Sequence, residues 1–167
     1  MNFPKLSFFM TLVLIAGCGP GFLDYSKKIR GTELIYIDAN SLTRIIVKSN
    51  SNGEQETIVG SSILNYRVES GHVFGARQVV RHYRCEQTRS DVEITDRIEF
   101  FVIKIFPEEA QYSSVSFDDF SEFESYLETI QIDDQTTTVF QPSSLEDRLL
   151  AVSSLGECKA PQLVSME

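Results

Sequence analysis

The stretch RIEFFVIKIF, residues 97 to 106, constrains this chain more than any other. A half-buried strand alternates apolar and polar residues, but here Phe100, Phe101, Val102 and Ile103 follow one another, so both faces of the strand are apolar. A strand of that kind sits centrally and needs a covering layer on each side. Pro107 ends it, because proline has no amide hydrogen to give to a ladder.

The segments before it read as strands too. TELIYID (32 to 38) and TRIIVKS (43 to 49) are rich in β-branched and aromatic residues, and ANSL between them reads as a tight turn. NSNGE (50 to 54) is a second turn, in which Asn52-Gly53 supplies the backbone freedom a hairpin requires. FLDYSKKI, TIVG and ILNYRVE continue the pattern. In HVFGARQVVRHYRCEQ (72 to 87), Val73, Gly75, Arg77 and Val79 face opposite to Phe74, Ala76, Gln78 and Val80, and a bulge is expected near Gly75.

The period changes in SFDDFSEFESYLETI, 116 to 130. Phe117, Phe120, Phe123, Tyr126, Leu127 and Ile130 recur at three and four residues, which lines them along one stripe of a helix. Ser116 with Asp119 three positions later is a capping pattern, and Asp118 and Asp119 suit the positive end of the helix dipole. A second, shorter helix is expected over LEDRLLAVSS, capped by Ser143 or Ser144. The expected fold class is α+β: one antiparallel sheet of about five to seven strands, with one or two C-terminal helices packed on it. One globular domain is expected over 22–158, followed by a loose tail over 159–167. A chain of this length buries roughly 70% of its unfolded surface, enough for a core without metals.

The first residues read differently. Lys5 precedes the apolar run LSFFMTLVLIAG, which is shorter than the roughly 20 residues of a spanning helix and fits the apolar core of a secretory leader. Ile15-Ala16-Gly17-Cys18 closes that run, and the tetrapeptide resembles the lipobox of bacterial lipoproteins. The resemblance implies a signal peptide over 1–17, cleavage before Cys18, and fatty acyl chains, palmitate among them, on Cys18. It also implies a domain held outside the cytoplasm on the cell membrane or the outer membrane, and Gly19-Pro20-Gly21 ahead of the strand-like FLDYSKKI makes 18–21 a lipidated terminus with a short linker. Gly19 stands where an aspartate would signal retention at the inner membrane in Gram-negative relatives.

With Cys18 acylated, Cys85 and Cys158 remain, in a compartment where disulfides persist. A Cys85–Cys158 bridge is expected, and closing so long a loop contributes about 4 kcal/mol in the chain-entropy model. His82-x-x-Cys85 lacks the further Cys or His that a zinc site needs.

Charge is unevenly placed. The chain holds 24 acidic and 15 basic residues, a net charge of -9. From Ile105 to Asp147 there are eleven acidic residues and no basic one, whereas Arg77 to Arg89 carries four arginines. Asp118, Asp119 and Glu122, joined by Asp133 and Asp134, have the oxygens for calcium but no loop spacing of an EF-hand, so a solvated helix face is the ordinary reading. The arginines at 77, 81 and 84 are expected to pair with the acidic helix or with neighbouring strands rather than with nucleic acid. His72 and His82 are the only histidines, and no GxSxG, GxGxxG or GxxxxGK occurs. No cofactor, metal site or catalytic residue is expected.

The order of motifs, TELIYIDANSLTRIIV, then VFGARQ, EFFVIKI and FDDFSEFESYLETI, is similar to that of a group of small bacterial lipoproteins with no known activity. The likeness spans roughly residues 22 to 130 and implies an α+β domain. The chain departs from that group in a longer connection, PEEAQYSSVS, and in Cys85 and Cys158. The function expected is non-enzymatic. A membrane-anchored envelope protein binds another protein near the bilayer, as an immunity or inhibitor protein would, with Asp118, Asp119, Glu122 and Glu124 as partner-binding residues. A lipoprotein that binds a small molecule or ion is the alternative, and an enzyme the third class. For the expected bridge, thiol titration of unreduced mature protein should find no reactive thiol; reactivity at both Cys85 and Cys158 would exclude it.

Overall fold

A computed structural model describes residues 25–50, 52–60, 62–85, 90–106, 111–153 and 162–165. The expected leader, Cys18, the linker and Cys158 lie outside the described residues. The fold is α+β, built of antiparallel strands and short helices. β1 (Tyr25–Lys28), β2 (Leu34–Asp38), β3 (Arg44–Ser49) and β4 (Gln55–Val59) form a meander in that order. β5 (Ile63–Glu69), β6 (His72–Arg84), β7 (Ser90–Phe106) and β8 (Gln111–Phe117) form a second sheet, and β9 (Gln162–Ser165) pairs with the far end of β6. Helix α1 (Phe120–Thr129) follows, then the single turns α2 (Asp134–Thr137) and α3 (Pro142–Leu145), each continued by a 3-10 turn.

The turns follow from local chemistry. At Ser70 and Gly71 φ is positive at both residues, 49° and 75°, the geometry that matches the twist of a two-residue hairpin. Gly53 adopts φ of 84° in the turn after β3, where its amide donates to Asn50.

β7 is covered on both faces, as its run of apolar residues demands. On one face Phe100 and Val102 join Phe74, Ala76, Phe123, Leu127, Phe140 and Leu145, so α1 and the turns after it form that cover. On the other, Phe101 and Ile103 join Val73, Ile63, Ile29, Leu34, Ile46 and Val59, so the meander forms the second. The helical stripe behaves as its spacing predicts. Phe123 and Leu127 are fully buried, and Phe117, Phe120, Tyr126 and Ile130 pack at the margin.

Several expectations are corrected. Among the described residues the antiparallel strands number nine and divide into two sheets, where one sheet of about five to seven was expected. β4 and β5 are consecutive but unpaired, because the chain crosses between layers through Ser62, at φ of 62°. The connection PEEAQYSSVS supplies β8 from residue 111 onward. Ser116 therefore pairs with Phe101 in the sheet, and Asp119, not Ser116, caps α1. The second helix runs from Pro142, and the chain is extended from Leu149. Residues 162–165 of the expected loose tail form β9, because β5 ends opposite Arg77 and leaves the edge of β6 open at His82–Arg84.

The bulge expected at Gly75 lies elsewhere. Register is continuous from Tyr66 through Gly75 to Phe101, and it shifts at Ile63/Asn65 and Gln78/Val80 instead. Glycine is needed at 75 for room: a Cβ there would stand 2.3 Å from the Asn65 carbonyl oxygen and 2.8 Å from Phe101 Cζ. Gly75→Ala is expected to cost about 3 kcal/mol through overpacking, read as a Tm lower by roughly 9 °C in thermal unfolding.

Candidate functional site

The acidic residues singled out in the sequence cluster around the start of α1, where most have structural partners. Asp119, in extended backbone before the helix, accepts hydrogen bonds from the amides of Ser121 (2.7 Å) and Glu122 (3.3 Å) and from the Ser121 hydroxyl. Those donors, the Ser121 hydroxyl first, hold its carboxyl below the usual carboxylate range. The benefit of this cap is therefore present at neutral pH and lost as pH falls through that lowered pKa. Asp118 pairs with Arg97 of β7, whose guanidinium pKa is raised by that hydrogen bond. Glu124 is half-buried and accepts from the Thr137 hydroxyl at 3.5 Å, while Glu122 is exposed. Among the described residues no group of three His, Cys, Asp or Glu side chains is placed to hold a metal ion.

Arg77 and Arg81 of β6 pair across to β7 rather than with the helix, and Arg84 is exposed at the end of the strand. Arg77 Nε donates to Glu99 at 2.8 Å, with side chains only 13% and 15% exposed, and Arg81 donates to Glu93 at 3.1 Å. The Tyr83 hydroxyl also donates to Glu93. Both pairs follow from register, since Arg77 stands opposite Glu99 and Arg81 opposite Glu93.

The histidines lie at opposite ends of β6, about 30 Å apart at strand spacing, too far to serve one reaction centre. His72 is buried, with Nδ1 2.9 Å from the Ser70 carbonyl oxygen; this contact needs the proton on Nδ1. Its Nε2 has no hydrogen-bond partner among the described residues. Cys85, buried at the end of β6, is disulfide-bonded, and its partner lies outside the described residues. β9 sets Gln162 opposite Arg84, the residue before Cys85.

Two clefts open between the sheets. One, of about 270 Å³, lies between the β1–β2 turn and the β7–β8 end, lined by Lys28, Thr32, Leu34, Lys48, Ile105 and Tyr112 among others. Burial and a 2.6 Å hydrogen bond to Glu56 push the Tyr112 hydroxyl up to about 12, and Lys48 lies 5.4 Å from its ring centre. The other, of about 190 Å³, separates the edge strands β4 and β8, with the Arg77–Glu99 pair and Ser114 and Ser116 in its wall.

Sequence reasoning missed Gln78, the one fully buried amide side chain among the described residues. Its Nε2 donates to the carbonyls of Thr95 (2.7 Å) and Leu150 (3.0 Å), and its Oε1 accepts from the Leu150 amide (2.7 Å). This latch holds the extended segment after α3 against the sheet, and the Ile94–Ser153 bridge continues it. A polar residue amid valines was the only signal. Arg148, which donates to the Leu64 carbonyl at 2.9 Å, was likewise unreadable, since its acceptor is 84 residues away.

Compared with protein families, with characterised proteins and with solved structures, the chain matches none.

Two substitutions test how this polar interior is held. Gln78→Leu leaves the Leu150 amide and two carbonyls without partners and is expected to cost about 3 kcal/mol in denaturant unfolding. Arg77→Met strands a nearly buried carboxylate at Glu99 and is expected to cost about 3 kcal/mol, most of which Arg77→Met with Glu99→Leu recovers.

Proposed function

We propose that this chain is a lipid-anchored envelope protein whose folded domain binds another protein close to the membrane and performs no catalysis of its own. The observation that carries the anchor is Ile15-Ala16-Gly17-Cys18 at the end of a short apolar run led by Lys5. The disulfide at Cys85 supports the same placement, because disulfides persist in oxidising compartments outside the cytoplasm. Among the described residues no helix is long and apolar enough to cross a membrane, so the acyl chains on Cys18 would be the attachment. Two or more such chains hold a protein stably.

The binding role is supported by how the ionisable groups are used. Asp119 caps, Asp118 and Arg97 pair, Arg77 and Glu99 pair, and the two histidines stand at opposite ends of one strand. What these leave toward solvent is an acidic face, with net charge -9 for the chain. Such a face speeds association with a basic partner and suppresses acidic ones, as in an immunity or inhibitor protein. A second reading, a small-molecule binder, is favoured by the cleft of about 270 Å³ between the sheets.

Intact mass of the protein from its own host should show a chain beginning at Cys18 and carrying fatty acyl groups. Cys18→Ser should leave residues 1–17 uncleaved and abolish the acyl mass. An unacylated wild-type chain retaining its leader would overturn the anchor.

A further inference from the structure

We infer that the outer edge of β8 is the docking site, and that its occupant is an extended, basic segment of the partner protein, added as a further strand to the second sheet. This deepens the binding role proposed above and rests on it for the existence of a partner.

The inference starts from how the other edges are guarded. Unpaired strand edges invite pairing with other chains, and proteins blunt them with charges, proline, bulges or short length. β1 carries Lys27 and Lys28, β4 carries Glu56, β5 carries Arg67 and Glu69, and β9 has only four residues. β8 carries none of these protections in its own sequence; across a cleft of about 190 Å³ it faces β4, whose Glu56 accepts from the Tyr112 hydroxyl and adds a further acidic group beside the edge. QYSSVSF is seven residues long, holds no charge and no proline, and pairs with β7 in unbroken register. Among the described residues nothing pairs with its other side. Most of its residues are exposed, Val115 at 37%. A row of outward amides and carbonyls at strand spacing is recognised by another extended backbone, the mode in which peptides add to a sheet edge.

Charge chooses the occupant. β8 lies inside the stretch from Ile105 to Asp147, which holds eleven acidic residues and no basic one. Asp118 and Asp119 follow its last residue directly, and Glu122 is exposed on the next turn. Lys104 stands opposite Ser113, toward the other end. A second copy of this chain would bring the same acidic stretch against itself, whereas a cationic strand with its basic residues beside Phe117 meets opposite charge.

The test uses the full mature protein purified from its host in detergent. The probe is an end-blocked seven-residue peptide alternating lysine and valine, with a version N-methylated at every amide, which leaves neither edge able to pair, as control. Hydrogen exchange at the amides of residues 111–117 is expected to slow with the peptide and not with the N-methylated version. Val115→Lys is expected to weaken binding by about tenfold or more through like-charge repulsion. Successive strand amides point to opposite sides, so of Ser113→Pro and Ser114→Pro one spares the β7 ladder; that folded variant, identified by its Tm, is expected to lose the protection. Absence of protection at 111–117, or equal protection by both peptides, would overturn the site. Concentration-dependent dimers in sedimentation that Val115→Lys abolishes would assign the edge to a second copy and overturn the basic segment. A missing acyl mass would overturn the anchor alone and leave the peptide result standing.

Discussion

The structure depends on a strand with two apolar faces. β7 turns Phe100 and Val102 toward α1 and Phe101 and Ile103 toward the meander, and all four are at most 2% exposed. Each such side chain contributes roughly 1.5–3 kcal/mol on burial, so together they rival the net stability of a typical domain, about 5–15 kcal/mol. Neither covering layer could leave without exposing one row. That requirement explains why a chain of modest length folds as three layers, helix, sheet and sheet. It also explains Gly75, which yields its side-chain space to the ring of Phe101.

The polar groups described are arranged around that core. Gln78 satisfies its amide completely and so ties the late extended segment to the sheet. Arg77 and Glu99 are opposite one another in register and are nearly buried, where each needs the other. The acidic start of α1 is partly a capping device, since Asp119 satisfies helix amides and Asp118 ties the helix start to β7 through Arg97. Its field toward solvent remains acidic, which links the helix to the unguarded strand directly before it.

The chain's two ends converge on the proposed placement. β1 begins at Tyr25, seven residues after Cys18, a span of at most about 25 Å when extended, so an acyl anchor there keeps the domain near its bilayer. At the other end β9 pairs with the last residues of β6, next to the disulfide-bonded Cys85.

Much of this was legible from local pattern. The 2.0 and 3.6 periods located β2, β3, β5, β7 and the stripe of α1, because side-chain direction repeats with those periods whatever the rest of the chain does. Continuous apolar residues in 97 to 106 already implied cover on both faces. The lipobox-like tetrapeptide is local too, and so is the acidic bias of the stretch after Ile105. Tertiary structure alone decided that β4 and β5 part into different sheets, that residues 111–117 make an edge strand, that 162–165 pair with β6, and that Arg77 finds Glu99 and Gln78 finds Leu150. Each of these is a pairing between distant residues, with hydrogen-bond partners up to 84 positions apart, and a backbone donor carries no mark in the sequence of which acceptor it will meet.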